Sequence, residues 1–123
     1  MSPRAAPSDD VDSFLPLPTA VFHILVALAD QERHGYAIMQ DVAERTDGKV
    51  RLSAGTLYSA VRRMLEQGLI EELRESPDPA SADERRRYYA ITALGRAVAL
   101  AEARRVTDLL SQARAAGLIP RKL

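Results

Sequence analysis

The sequence predicts one small, mainly α-helical domain that carries a single β-hairpin. Apolar residues recur at helical spacing in four segments, two short strand-like segments flank a polar loop, and glycine or proline separates most of these elements. The chain has 123 residues, which is one domain's worth of polypeptide. We therefore expect a single module rather than a catalytic domain joined to a regulatory one.

The beginning of the chain is polar and is followed by a helix. Residues 1–15 carry proline, serine and aspartate with almost nothing to bury, so they are predicted to form a disordered arm. The first helix is expected from about residue 18 to residue 30, because Pro18 suits a first turn and apolar residues follow at helical spacing. Phe22 and Val26 give this helix a second apolar stripe, so it needs a second partner besides its own core.

Two further helices follow with a tight turn between them. Residues 31–35 are expected to form a turn, and a second helix of about 11 residues to follow with Tyr36 in the core. A very short strand is predicted at residues 50–52. Ser53 is a favourable N-cap and Gly68 a favourable stop, so a third helix is predicted between them.

The second half of the chain predicts a hairpin and a long helix. Strands are expected at residues 69–74 and 86–91, and a final helix from Ala93 to about Ala116. Three helices followed by a β-hairpin wing is the order of a winged helix-turn-helix, here with a long C-terminal dimerisation helix. The predicted organisation is a disordered arm at 1–15, a DNA-binding domain at 16–91, a dimerisation helix at 92–118 and a tail at 119–123.

The charge is balanced overall but divided between the two halves. The chain has 17 basic and 17 acidic residues, yet residues 1–48 hold 3 basic and 8 acidic groups while residues 49–123 hold 14 and 9. Such asymmetry points to a polyanion-binding half. The neutral total therefore excludes only indiscriminate binding driven by net charge.

The composition also excludes several classes of protein. The absence of cysteine rules out disulfides, thiolate nucleophiles and cysteine metal sites, and no apolar run approaches the ~20 residues of a membrane span. No nucleophile–base pair, paired carboxylates or glycine-rich phosphate loop is recognisable, and His23 and His34 have no carboxylate at ligand spacing. We expect a cytoplasmic protein that is not an enzyme, with no cofactor, no metal and no membrane partner.

The third helix carries the pattern that points to nucleic acid. With Leu57 facing the core, the residues that lie opposite are Gly55, Ser59, Arg62 and Glu66, with Tyr58 and Arg63 on the flanks. Residues 49–65 include four basic side chains and no acid. Small residues at the start of the helix and arginines further along suit a major groove ~12 Å wide. A second basic cluster, residues 85–87, lies at the base of the hairpin. For both clusters the alternative to DNA binding is an ordinary charged face exposed to solvent.

Three segments resemble one protein family. Residues 53–58 with 62–70, residues 34–38, and residues 87–96 are similar, in this order, to the motifs of PadR-type transcriptional regulators, and the resemblance covers about residues 17–110. It implies a homodimeric winged-helix repressor of the short subfamily that binds double-stranded DNA. It also implies that the repressor releases the DNA when a small aromatic or drug-like effector binds. Ser59 departs from the family pattern, which usually has proline there, so a small change in groove contacts is expected.

The resemblance and the helix geometry together assign the DNA-binding residues. These are Ser53, Gly55, Thr56, Tyr58, Ser59, Arg62 and Arg63 on the third helix, and Arg86 and Arg87 on the wing. For Tyr58 the alternative is packing against the wing. The competing function is a winged-helix module for protein interaction, in which the basic face meets an acidic partner.

The last helix has a stripe suited to dimerisation. Small and apolar residues follow at alternating spacings of 4 and 3, typical of a coiled-coil seam. The predicted dimer interface consists of Phe22, Val26, Ala99, Ala103, Val106, Leu110 and Ala113. The alternative is that the helix folds back on its own core. A two-fold dimer predicts an inverted-repeat operator, and an effector pocket is expected between Phe22, Val26, Val106 and Leu110.

Overall fold

The computed structural model describes residues 7–73 and 87–119, with side chains from residue 10 onwards. Five helices and three strands make up this part of the chain. In order they are α1 (Pro7–Asp12), α2 (Thr19–Leu28), β1 (Arg33–His34), α3 (Gly35–Arg45), α4 (Ala54–Gln67), β2 (Ile70–Leu73), β3 (Tyr88–Ile91) and α5 (Ala93–Ala115). The predicted mainly α winged helix-turn-helix with a long last helix is confirmed.

The core lies between α2, α3, α4 and the sheet, and one turn of α5 covers it. Apolar residues occupy it at the helical spacing that the sequence shows. The largest fully buried side chains are Ile24, Leu25, Leu28, Ile38, Val42, Leu57, Met64, Leu69 and Val98. This arrangement leaves the opposite face of α4 turned towards solvent.

The sheet differs from the prediction in its third strand. Its order is β1-β3-β2, all antiparallel, and Tyr89 in β3 is the register partner of both Arg33 and Glu72. The two residues of β1, predicted as a turn, pair with the free edge of β3, which needs backbone partners. The strand predicted at residues 50–52 is absent, because the Val50 N–H is already satisfied locally by Thr46 Oγ1 at 3.0 Å.

Helix α5 begins where two backbone segments approach closely. Thr92 caps the helix by accepting the Gly95 N–H at 3.0 Å, and its hydroxyl donates to the Gly68 carbonyl at 2.6 Å. A Cβ at Gly95 would collide with the Leu69 carbonyl oxygen. The glycine therefore allows the first turn of α5 to lie directly on the chain that leads into β2.

The segment before α2 contains a short helix. Residues 7–12 form α1, Val11 is only 8% exposed, and Phe14 and Leu15 pack against the core. The sequence alone predicts a disordered arm at residues 1–15; in the structure α1 packs on α5, a partner distant in sequence. Residues 1–6 lie outside the described residues.

A buried carboxylate joins this segment to α5. Glu102 is 4% exposed; its Oε1 accepts the Leu17 N–H at 3.3 Å, and Arg105 donates to both carboxylate oxygens at 2.9 and 2.7 Å. A buried charge is tolerated when it is paired and hydrogen-bonded in this way. The hydrogen bond from Arg105, assisted by that from Leu17, lowers the pKa of Glu102.

This carboxylate should make the fold sensitive to acid. The pKa of Glu102 lies below its ordinary value of 4.5 in the folded state, so its stabilising contribution is present above that pH and is lost as the pH falls through the folded pKa. Glu102→Gln should lower the free energy of unfolding at neutral pH and flatten its decline in acid. Urea unfolding of both proteins across the acidic range measures this; parallel declines would contradict it.

Candidate nucleic-acid interface

Helix α4 presents its predicted outer face to solvent. Leu57, Val61 and Met64 are buried against the core. Every residue that the sequence assigns to the DNA-binding face of this helix is exposed: Ser53, Gly55, Thr56, Tyr58, Ser59, Arg62 and Arg63. The amphipathic pattern of this segment thus places these side chains on one accessible surface.

The beginning of α4 is well defined and open. Ser53 Oγ accepts the Thr56 N–H at 3.1 Å and lies 3.0 Å from the Thr56 hydroxyl. A Cβ placed at Gly55 would meet no atom within 4 Å. Both hydroxyls and the first turn are therefore accessible at the positive end of the helix dipole.

The positive groups around α4 form no ion pair with any carboxylate that the structure describes. Lys49, Arg51, Arg62 and Arg63 are all exposed. Within the part of the chain that the structure describes, no carboxylate lies within 4.0 Å of these four groups. Ion pairs elsewhere involve other arginines, such as Arg45 with Asp41 at 2.6 Å. The four cations remain available to an external anion.

Tyr58 packs at the start of α3 while remaining half exposed. A Cβ at Gly35 would collide with the Tyr58 hydroxyl, so the glycine makes room for the phenol ring. The side chain is nevertheless 48% exposed. Beside it, Tyr89 is buried, and this burial raises its pKa, with a smaller contribution from Glu72.

Tyr36 is not the core residue that the sequence predicted. Its side chain is 54% exposed and borders an open groove of about 720 Å³ along α3. Ile38 and Val42 occupy the buried positions of this helix instead. Tyr36 lies outside the buried stripe of this amphipathic helix.

The wing is described only at its base. Arg87 is 72% exposed and its guanidinium lies 3.7 Å from the Glu72 carboxylate across the hairpin. An exposed pair at this distance contributes little and leaves the arginine able to reach another anion. Arg86 and the polar loop at residues 76–84 lie outside the described residues, so the assignment of Arg86 stays a prediction.

The predicted dimer seam is divided into a covered and an uncovered part. Phe22, Val26, Ala99, Ala103 and Ala113 are partly buried. By contrast, Val106 is 44% and Leu110 37% exposed. Leu109, which the spacing argument missed, is 50% exposed. The beginning of α5 packs on α1 and α2, while these three apolar side chains face solvent.

The effector pocket predicted between Phe22, Val26, Val106 and Leu110 does not coincide with the grooves seen among the described residues. Four grooves formed by described residues have other linings, along α3, between α2 and α4, between α1 and α5, and around residues 13–18. Residues 7–73 and 87–119 hold no group of three side chains able to bind a metal ion. None of their helices is both long and apolar enough to cross a membrane.

Three core helices, a hairpin packed on them and an exposed basic face on the third core helix define a regulator of the winged-helix class. The sequence profile of the PadR-like family of transcriptional regulators matches residues 24–101. The chain therefore belongs to the PadR-like family, whose members bind DNA and are generally not enzymes.

Similar proteins agree with this assignment. The chain resembles a PadR family transcription regulator from Clostridium difficile, with a TM-score of 0.69 and 26% identity over 79% of this chain and 96% of the other. A transcriptional regulator from Clostridium thermocellum shares the fold, with a TM-score of 0.65 and 22% identity over 92% and 97% of the two chains. "Uncharacterized protein X" of Lysinibacillus sphaericus is 32% identical over 74 residues, which span 60% of this chain and 65% of that protein.

Proposed function

We propose that this protein is a sequence-specific transcriptional repressor that binds an inverted-repeat operator as a homodimer. The observation that carries the proposal is the exposed face of α4 with Arg62 and Arg63, together with Lys49 and Arg51 in the segment before it; none of these four cations has a described acidic partner within 4.0 Å. The protein acts by binding alone, with no catalytic step, and in the cytoplasm, where it meets double-stranded DNA. No cofactor takes part in the proposed action.

The arrangement of α4 suggests how it reads DNA. Ser53 and Thr56 offer hydroxyls, and Gly55 and Ser59 keep the surface low, so the helix can sit deep in a major groove. Arg62, further along the same face, reaches base edges. Arg63 and the half-exposed Tyr58 flank the helix and meet the two phosphate backbones. Arg86 and Arg87 of the wing bind sugar and phosphate beside the groove.

In the proposed dimer, the partner chain covers the apolar part of α5 that is exposed to solvent in a single chain. Val106, Leu109 and Leu110 form an exposed apolar cluster on a helix whose beginning already packs on its own chain. Exposed apolar clusters of this kind mark interfaces. In the proposed dimer they pack on the partner's α2, and the two α4 helices lie about one DNA turn apart, roughly 34 Å. An effector site between Phe22, Val26, Val106 and Leu110 would then need both chains.

We expect the two arginine positions to behave differently. Arg62→Ala should weaken operator binding by about 1–3 kcal/mol and leave non-specific binding less affected, because a base contact is lost. Arg87→Ala should weaken both alike, because phosphate contacts carry no sequence information. Fluorescence anisotropy with DNA from upstream of the protein's own gene and with a scrambled duplex measures both. Equal losses on both duplexes from both substitutions would contradict the roles assigned.

The dimer is tested at Leu110. Leu110→Glu places a charge on the apolar cluster without touching the buried core, so the monomer should stay folded while association weakens by at least about tenfold. Sedimentation equilibrium gives the association constant, and circular dichroism verifies folding. Gln112→Glu, at an exposed polar position on the same helix, is the control. Identical association of both variants would argue against this interface.

The alternative is a winged-helix module that binds a protein. Glu71 and Glu72 are exposed on β2, and Glu72 already pairs with Arg87, so the wing is less basic than its arginines suggest. A gel shift separates the two functions. Retardation of upstream DNA at concentrations that leave a scrambled duplex free supports the repressor; no retardation of either supports the protein-binding module.

A further inference from the structure

The chain between α1 and α2 is bonded to the C-terminal helix and lines grooves together with residues of α4. We call residues 13–18 the strap. Leu17 is 8% exposed, Phe14 packs against the core, and Pro18 provides the cap position of α2. Leu17 is the buried residue of this six-residue strap, and Phe14 and Leu15 are partly buried beside it, so the strap is anchored through these apolar side chains.

On one side the strap is attached to α5 by a single buried group. The Leu17 N–H donates to Glu102 at 3.3 Å, and Arg105 holds the same carboxylate at 2.9 and 2.7 Å. A buried glutamate is costly unless it is fully paired, and an apolar residue of similar size could fill the space. Core packing alone therefore does not account for a glutamate at this position.

On the other side the strap lies beside α4. A groove of about 360 Å³ is lined by Phe14, Leu17 and Pro18 of the strap and by Arg63 and Gln67 of α4. A second groove, of about 410 Å³, continues from Pro18 along Gly55, Thr56, Ser59 and Arg63. Pro18 and Arg63 border both grooves. The strap thus ends next to the exposed face that carries the proposed DNA contacts.

We propose that Glu102 is a positioning residue for DNA recognition. By holding the Leu17 N–H it fixes the strap, the strap fixes the start of α2 against α4, and the proposed dimerisation helix is thereby coupled to the DNA-reading helix. The inference rests on the proposed function, since it needs DNA to be the ligand of α4. It assigns Glu102 no contact with DNA.

Three variants test this role. Glu102→Leu fills the space but leaves the Leu17 N–H without its acceptor, whereas Glu102→Gln keeps an oxygen there. Val98→Ala is the control, because Val98 is fully buried one turn earlier on α5 and its truncation destabilises the fold without touching the strap hydrogen bond. Amide hydrogen exchange of residues 13–17 and of α4, and anisotropy with upstream and scrambled DNA, are measured at a temperature where circular dichroism shows every variant folded.

We expect Glu102→Leu to speed exchange at Leu17 and in α4 and to weaken upstream-DNA binding about tenfold, with scrambled DNA changed less than about twofold. Glu102→Gln should restore most of that affinity, and Val98→Ala should keep it. Unchanged α4 exchange in Glu102→Leu, or an equal loss of affinity in Val98→Ala, would overturn the positioning role. Wild-type protein that binds both duplexes equally weakly would instead overturn the proposed function, while the exchange result still decides whether Glu102 positions α4.

Discussion

The affinity for upstream DNA is expected to fall by about a thousandfold or more between about 50 and 200 mM salt. Lys49, Arg51, Arg62, Arg63 and Arg87 are exposed on the proposed interface, and a dimer presents two such sets. If six or more of these cations meet phosphates, binding releases a comparable number of counterions, and log affinity declines linearly with log salt. The net charge of zero does not weaken this effect, because the contacts are local.

Anisotropy titrations at several salt concentrations give the slope. Arg63→Gln should reduce it by about 1.8 in a dimer, since each lost phosphate contact contributes about 0.9. Arg45→Gln is the matched control, because its guanidinium is already bound to Asp41 at 2.6 Å and should add nothing to the slope. A flat salt dependence of the wild-type protein would be incompatible with the proposed interface.

Gly95→Ala is expected to destabilise the fold by about 3 kcal/mol, near the upper end for overpacking. The added Cβ would overlap the Leu69 carbonyl oxygen, which is backbone and cannot rotate away. Relief requires the start of α5 to move off the chain leading into β2, which also strains the Thr92 hydrogen bond to Gly68. The midpoint of thermal unfolding should drop by more than about 10 °C.

Gly55→Ala is the control for this substitution. Gly55 lies in the first turn of α4, and its Cβ would meet no atom within 4 Å. Alanine there should leave stability unchanged or raise it by up to about 1 kcal/mol, because glycine is the poorer helix former. Circular dichroism melts of both variants compare them directly. Equal midpoints would show that the close approach at Gly95 is not a constraint.

The elements that could be predicted are those with local signals. Helix α4 begins after Ser53 and ends at Gly68 as expected, because capping and the left-handed glycine act within a few residues. The exposed face of α4 followed from periodicity alone. Strand β1 could not be found in this way, since its two residues acquire strand geometry only by pairing with β3, more than 50 residues later.

The differences between the sequence-based predictions and the structure have a common cause. Composition and spacing predict Tyr36 in the core and a disordered arm at residues 1–15, because both predictions consider a segment without its neighbours in the fold. In the folded chain α3 buries a different stripe, and α5 offers the arm a surface to cover. Glu102 was not singled out at all, since a glutamate in a helical sequence looks like any solvated charge until its burial against Leu17 is seen.

The sequence by itself determined the class of fold, the family motifs and which face of α4 is basic, because periodicity, caps and charge are properties of short segments. Only the tertiary structure decided that α1 packs on α5, that the third strand precedes α3, and that the Leu17 N–H is bonded to Glu102 of α5. These features depend on contacts between residues far apart in the chain, whose free energy exists only after the core has assembled.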